Sequence, residues 1–314
     1  VADPPTTDVG RVPAPGAHGG DGARIAAALG LDPATVLDLS HTLNPFAADP
    51  VPIVARHLGA VRQYPHAAFA TRALADALGV PVESVLVTNG GAEAIALAVG
   101  ALRSGRVEPP EFSLHERHLR RIDATGPLVR SNPNNPTGLL AAPDAVAAVW
   151  DEAFWPLATG TWTRGDADHG SVVVGSLTKL LACPGLRLGY VLGDPSTVER
   201  LTNRQPAWSV SGPASAALPD LLDTVDLPTW STRIDSARDA LVEVLTGAGL
   251  AVRPSDAPWV LVDEPGLRER LAPHGVVVRD GASFGLPGTY RIAVPDPRHL
   301  DRLATTLALA LGHS

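Results

Sequence analysis

The chain has no methionine, one cysteine, one lysine and few aromatic residues, and each scarcity narrows what it can be. The single cysteine, Cys183, excludes an internal disulfide and fits a reducing compartment, so a cytoplasmic location is expected. Its expected role is that of a small buried residue. No apolar run is long enough to span a bilayer, and no basic-then-apolar segment stands at the start. A net charge of −8 and a pI of about 5.6 give no electrostatic footprint for nucleic acid or an anionic membrane. No metal site is expected. His115-Glu116-Arg117-His118 falls one residue short of the His-Glu-x-x-His zinc helix. Asp166, Asp168 and His169 sit in a glycine-containing polar loop, which reads as solvated.

The lysine scarcity is the most informative. Of 25 basic residues, only Lys179 is not arginine. Arginine serves for surface charge, ion pairs and phosphate clamping. It cannot form a Schiff base, because guanidinium stays protonated, whereas a lysine amine can be made neutral and nucleophilic. Lys179 lies in Gly175-Ser176-Leu177-Thr178-Lys179, after the β-branched run Val172-Val173-Val174. That run reads as a buried strand with the lysine just past its C-terminal end, where α/β sheets place ligands. Pro184-Gly185-Leu186-Arg187 follows, so an amine, two hydroxyls and a guanidinium gather into a candidate anion site. Ser176-x-x-Lys179 also fits the serine β-lactamase pattern, but that mechanism needs a Lys-Thr-Gly lysine absent here.

The 314 residues, 45% hydrophobic and 18% charged, suit one large domain and a smaller one. Residues 1 to about 17 are rich in Pro, Gly and Asp and are expected to be mobile. Helices are expected over 22–29, 72–78, 92–102, 232–246 and 300–311, and strands over 85–88, 128–131, 172–176, 188–192, 259–262, 276–279 and 290–294. Asn89-Gly90-Gly91 between strand and helix is an arrangement that aims backbone N–H groups at a phosphate, and equally an ordinary tight turn. Asn132-Pro133-Asn134-Asn135-Pro136-Thr137-Gly138 holds an asparagine amide in a stiffened loop. The division expected is 1–45 as an N-terminal arm, 46–203 as a large parallel-sheet domain and 204–314 as a small α+β domain.

Asn-Pro-Asn-Asn-Pro-Thr-Gly (132–138), Asp-Glu-Ala-Phe (151–154), Ser-Leu-Thr-Lys (176–179) and Gly-Leu-Arg-Leu-Gly-Tyr (185–190), in that order, resemble the fold-type I pyridoxal-phosphate enzymes of the class I/II aminotransferase group. Within it the chain most resembles the threonine-phosphate decarboxylases of cobalamin biosynthesis, relatives of the histidinol-phosphate aminotransferases. The closer likeness rests on His18-Gly19-Gly20-Asp21, Leu39-Ser40 through Asn44-Pro45, Tyr64-Pro65, Arg204-Gln205, Trp208-Ser209-Val210 and Tyr290-Arg291. It implies an α/β fold with a large α/β/α domain, a mainly parallel sheet and a small C-terminal domain.

The resemblance also implies roles. Lys179 would bind the cofactor pyridoxal 5'-phosphate covalently and Asp151 would pair with its ring nitrogen, so both would be catalytic. Asn135 would bond the ring's phenolic oxygen, and Phe112 or His115 would stack on the ring. Gly91, Ala92, Ser176 and Arg187 would hold its phosphate. Tyr64 would reach the cofactor of a neighbouring subunit, implying a homodimer with shared sites. Arg291 would bind the substrate carboxylate, with His18, Thr42 and Arg279 for a substrate phosphate. The stretches 102–132 and 138–151 are shorter than the family pattern, so peripheral elements of the large domain are expected to be reduced. Thr42 stands where the family carries asparagine, and Phe154 where aminotransferases of the group often carry tyrosine. Decarboxylation of L-threonine O-3-phosphate is the leading expectation. An aminotransferase of histidinol-phosphate type and a non-catalytic cofactor-fold protein are the alternatives.

Overall fold

The computed structural model describes residues 10–16 and 18–312. Most of the proline-rich start, for which mobility is expected, lies outside them. Among the described residues ten strands occur, numbered in chain order: β1 Leu37–Leu39, β2 Val85–Asn89, β3 Val129–Ser131, β4 Val149–Asp151, β5 Val172–Gly175, β6 Leu188–Leu192, β7 Val252–Arg253, β8 Trp259–Asp263, β9 Val276–Asp280 and β10 Thr289–Ala293. The chain forms two compact units, one of Leu43–Asp235 and one made from the described parts of 1–42 and 236–314.

In the unit Leu43–Asp235 the sheet order is β2-β6-β5-β4-β3. β3, β4 and β5 are parallel, and β6 is antiparallel to both β5 and β2. Four of its five strands therefore run one way, and the strand pair expected around Lys179 is β5 with β6. Side chains alternate between two apolar layers, as the pleat requires. Val85, Val87, Trp150, Val173, Leu188 and Tyr190 pack to one side with Leu74, Leu177 and Leu218. Leu86, Val149, Val174 and Val191 pack to the other with Ala94, Ile95 and Val99. Both faces are covered, so the strands read as continuous apolar runs. Each fully buried Val, Leu or Ile side chain contributes about 1.5–3 kcal/mol on this account.

The helix Ala68–Leu78 buries Ala70, Leu74, Ala75 and Leu78, one face of a 3.6-residue period, and packs on the helix Gly212–Leu222. The helix Gly90–Gly100 follows β2 with no intervening loop. Parallel strands are usually joined through a helix, yet no helix lies between β3 and β4, where residues 132–148 form the Asn-Pro loop and turns. This is the reduction that the short spacing predicts.

The other unit has the sheet order β1-β9-β10-β8-β7, with β1 parallel to β9 and the remaining pairs antiparallel. Its helices include Gly22–Leu29 and Leu300–Leu311, both with the expected boundaries. No helix among the described residues is long and apolar enough to cross a membrane.

Candidate active site

Lys179 sits in the short helical turn Leu177–Leu180 that follows β5, and its side chain is half-buried. Its backbone is fixed from two sides. The Thr178 hydroxyl donates to the Leu188 carbonyl at 3.1 Å, tying the turn to β6. Asn44 donates its backbone N–H to the Lys179 carbonyl at 3.0 Å and its Nδ2 to the Leu180 carbonyl at 3.0 Å. Asn44 stands out in the sequence only as part of an Asn-Pro pair. The structure makes it the clamp on the lysine turn.

Beside this turn the chain approaches itself more closely than side chains allow. A Cβ at Gly189 would lie 2.5 Å from the Gly90 carbonyl carbon and 2.6 Å from the Gly91 nitrogen. Gly90 has φ +76, and a Cβ there would lie 2.7 Å from Arg187 Nη2. The nearest atom to a Cβ at Gly91 would be that of Ser176, at 3.3 Å. Gly91, Ala92, Ser176 and Arg187 thus converge at the N-terminus of the helix Gly90–Gly100, whose first N–H groups have no acceptor within the helix. The helix-end N–H groups, a hydroxyl and a guanidinium at a positive helix end form a donor set for a phosphate.

Asp151 ends β4 and is buried. Its Oδ2 lies 3.1 Å from His115 Nε2, and its Oδ1 accepts from the Ala153 N–H at 3.0 Å. His115 is fully buried, with Nδ1 3.5 Å from Glu111 Oε1. Burial alone would lower the His115 pKa. The Asp151 and Glu111 carboxylates outweigh it and push the pKa up to about 9, so the imidazole is charged at neutral pH. Of the two ring-stacking candidates, His115 is enclosed between carboxylates, whereas Phe112 keeps a partly exposed face and meets the His115 ring edge-on at 5.8 Å. Asn135 is buried, and its backbone N–H donates to Ser131 Oγ at 2.7 Å. Glu111 has no motif around it and no signal in the sequence.

Tyr64 is exposed and packs on exposed Trp208, ring centroids 4.6 Å apart. The remaining candidates belong to the other unit. Arg279 on β9 and Arg291 on β10 are cross-strand partners, and both are buried. Arg279 donates to the Gly16 carbonyl and to Ser283 Oγ, each at 2.7 Å. Burial, and then repulsion from Arg279, hold Arg291 down to about 9. Burial lowers Arg279 as well. The Thr42 hydroxyl is buried without a hydrogen-bond partner. His18 is exposed, next to the Gly19–Gly20 turn that Ser40 Oγ holds through the Gly20 N–H at 2.8 Å.

The sequence profile of the family described as "Aminotransferase class I and II" matches residues 112–307, a span holding Asp151, Lys179, Arg187 and Arg291. The chain belongs to that family. Two curated relatives cover nearly all of this family member. "Histidinol-phosphate aminotransferase 2" of Pseudomonas fluorescens is 28% identical, over 91% of this chain and 93% of its own. "Threonine-phosphate decarboxylase" of Salmonella typhimurium is 29% identical, over 93% and 95%. The fold matches the crystal structure of histidinol-phosphate aminotransferase from Sinorhizobium meliloti in complex with pyridoxal-5'-phosphate, with a TM-score of 0.77 at 18% identity over 92% of this chain and 94% of that one.

The family's cofactor, pyridoxal 5'-phosphate, is the cofactor of this enzyme. The residues present fit it. The close approach of chain and guanidinium that Gly90 and Gly189 allow, and the donors of Gly91, Ala92, Ser176 and Arg187, suit its phosphate, and a carboxylate and a lone lysine suit its nitrogen and aldehyde. When bound, it supplies an electron sink for a bond broken at a substrate's Cα. Asp151 can keep a ring nitrogen protonated by a charge-assisted hydrogen bond. Lys179 can take or give the proton at Cα once its amine is free.

Proposed function

We propose that this enzyme decarboxylates L-threonine O-3-phosphate to (R)-1-aminopropan-2-yl phosphate, a step of cobalamin biosynthesis. The observation that carries the reading is the Arg279–Arg291 pair: two buried guanidiniums opposite one another on adjacent strands. Two guanidiniums side by side suit a substrate that carries two anionic groups. Phosphothreonine brings two, a carboxylate and a phosphate, while histidinol phosphate brings a phosphate alone. Arg291 takes the carboxylate bidentately, and Arg279, with His18 and the Thr42 hydroxyl, takes the phosphate. Anchoring the distal phosphate would fix the substrate's pose and so select the Cα–carboxylate bond for cleavage. That bond breaks, CO2 leaves, and Lys179 returns a proton to Cα. Phe154 supports the same reading, since aminotransferases of the group often carry a tyrosine hydroxyl at that position.

The enzyme acts as a homodimer in the cytoplasm on this reading. The exposed Tyr64–Trp208 pair supports the dimer, with Tyr64 reaching the phosphate of the partner's cofactor. The second reading, an aminotransferase of histidinol-phosphate type, is favoured by the Pseudomonas relative; the arginine pair is compatible with it through a dicarboxylate co-substrate, so release of CO2 is what separates the two. The test is incubation of the purified protein with phosphothreonine, followed for CO2. Release of CO2 without 2-oxoglutarate supports decarboxylation. Consumption of 2-oxoglutarate with no CO2 gives the aminotransferase instead.

A further inference from the structure

Glu111 is a buried carboxylate with no assigned role, and it bonds the segments that carry Phe112 and Asn135 and faces His115, the partner of Asp151. It accepts from the Phe112 N–H at 2.7 Å, so it fixes the backbone that carries the half-buried ring. It accepts from the Ser131 N–H at 2.9 Å and from the Ser131 hydroxyl. That hydroxyl in turn accepts the Asn135 N–H at 2.7 Å. The Asn134 side chain donates to Glu111 at 3.3 Å, closing the same loop. On its remaining side Glu111 faces His115 Nδ1 at 3.5 Å, while His115 Nε2 lies 3.1 Å from Asp151. A carboxylate withdrawn from water is tolerated only when its lone pairs are filled and a cation stands near. Glu111 meets both conditions by joining its own segment, with Phe112 and His115, to the segment that runs from Ser131 to Asn135.

We propose that Glu111 is a positioning residue for the cofactor: it sets Phe112 through the backbone, Asn135 through Ser131, and Asp151 through His115, so that the three are placed before pyridoxal phosphate binds. The proposal rests on the cofactor alone and holds whichever reaction the enzyme performs. Its consequence is that Ser131 and Glu111 act as one unit. Substituting both costs little more than substituting the first, as expected for partners in one network.

The test is the affinity of the cofactor-free protein for pyridoxal phosphate, measured by absorbance and fluorescence titration, for Glu111→Gln, Ser131→Ala and the double variant. Loss of a hydrogen bond to a charged group predicts about 10- to 100-fold weaker binding for Glu111→Gln. Ser131→Ala should weaken binding less, and the double variant should match Glu111→Gln to within about twofold. A second readout separates positioning from mere packing. The titratable groups around His115 are the Asp151 and Glu111 carboxylates and the neighbouring His118, whose pKa burial lowers. With Glu111 neutralised, the His115 ring protons followed by NMR should titrate at lower pH than in the native protein. Native-like affinity in a folded Glu111→Gln protein, or losses that simply add in the double variant, overturns the proposal. If Glu111→Gln does not fold, Ser131→Ala decides: weaker cofactor binding supports the proposal and unchanged binding overturns it.

Discussion

Arg279 and Arg291 stand directly across from one another on β9 and β10, both buried. Phe284 lies near each guanidinium, 5.3 Å from Arg279 and 5.9 Å from Arg291, and Trp259 lies 5.1 Å from Arg291. Aromatic faces ease the cost of burying a cation, Asp21 and Asp280 act on Arg279 as well, and a bound phosphate would add to them. Arg279→Ala should therefore weaken phosphothreonine by about 10- to 100-fold while affecting threonine far less. Steady-state KM values for the two substrates check this, and equal losses for both would remove Arg279 from the phosphate site.

Asp151 is asked to act on chemistry rather than on folding. Asp151→Asn should retain cofactor but lose turnover by a factor on the order of 10² or more, because a neutral amide does not hold the ring nitrogen protonated. Near-normal kcat in a folded variant would make Asp151 a structural residue.

Gly90 tests the phosphate cradle. Gly90→Ala adds a Cβ 2.7 Å from Arg187 Nη2 at a residue with φ +76. Alanine at a positive φ is strained, and the expected cost is about 1 kcal/mol or more. The guanidinium must also shift, so cofactor affinity should fall with stability. Thermal unfolding with and without pyridoxal phosphate measures both. A variant stabilised by the cofactor as strongly as the native protein would contradict this use of Gly90.

Glu152, next to Asp151, is fully buried, and this burial lifts its pKa from 4.5 to about 7 against the lowering contacts of Thr163 and Arg164. A folded-state pKa raised above the unfolded one gives stability that is complete below the lower value and lost as pH rises through the higher one. The native protein should therefore lose stability between about pH 5 and about pH 8. Glu152→Gln should lose less over the same range, by up to about 3 kcal/mol. Urea unfolding at the two pH values reports the difference, and parallel pH dependences would refute the assignment.

What was legible in the sequence follows the range of the forces involved. The helices Gly22–Leu29 and Leu300–Leu311 announce themselves by local apolar periodicity and by Gly30 and Gly312 just beyond them. β5 and β6 announce themselves by apolar runs buried on both faces. β1 does not, because its three residues become a strand only by pairing with β9, far along the chain. The helix Gly212–Leu222 is masked by Pro219 in its interior, which local propensity opposes, while burial of Ala214, Ala217, Leu218 and Leu221 holds it. In the site, Lys179, Asp151 and the glycine turn carry recognisable spacing. Glu111 does not, since its partners Ser131 and Asn134 lie 20 and 23 residues away and no pattern links them.

The account turns on Lys179 as the cofactor's covalent partner, and borohydride reduction of the protein loaded with pyridoxal phosphate, followed by peptide mapping, tests it most directly. Lys179 is the only lysine, so the account predicts one internal label, on the peptide containing Lys179, and no label on that peptide or visible absorption band in Lys179→Ala. A protein that stays colourless and unlabelled at Lys179, or a Lys179→Ala variant that keeps the native band, would contradict it.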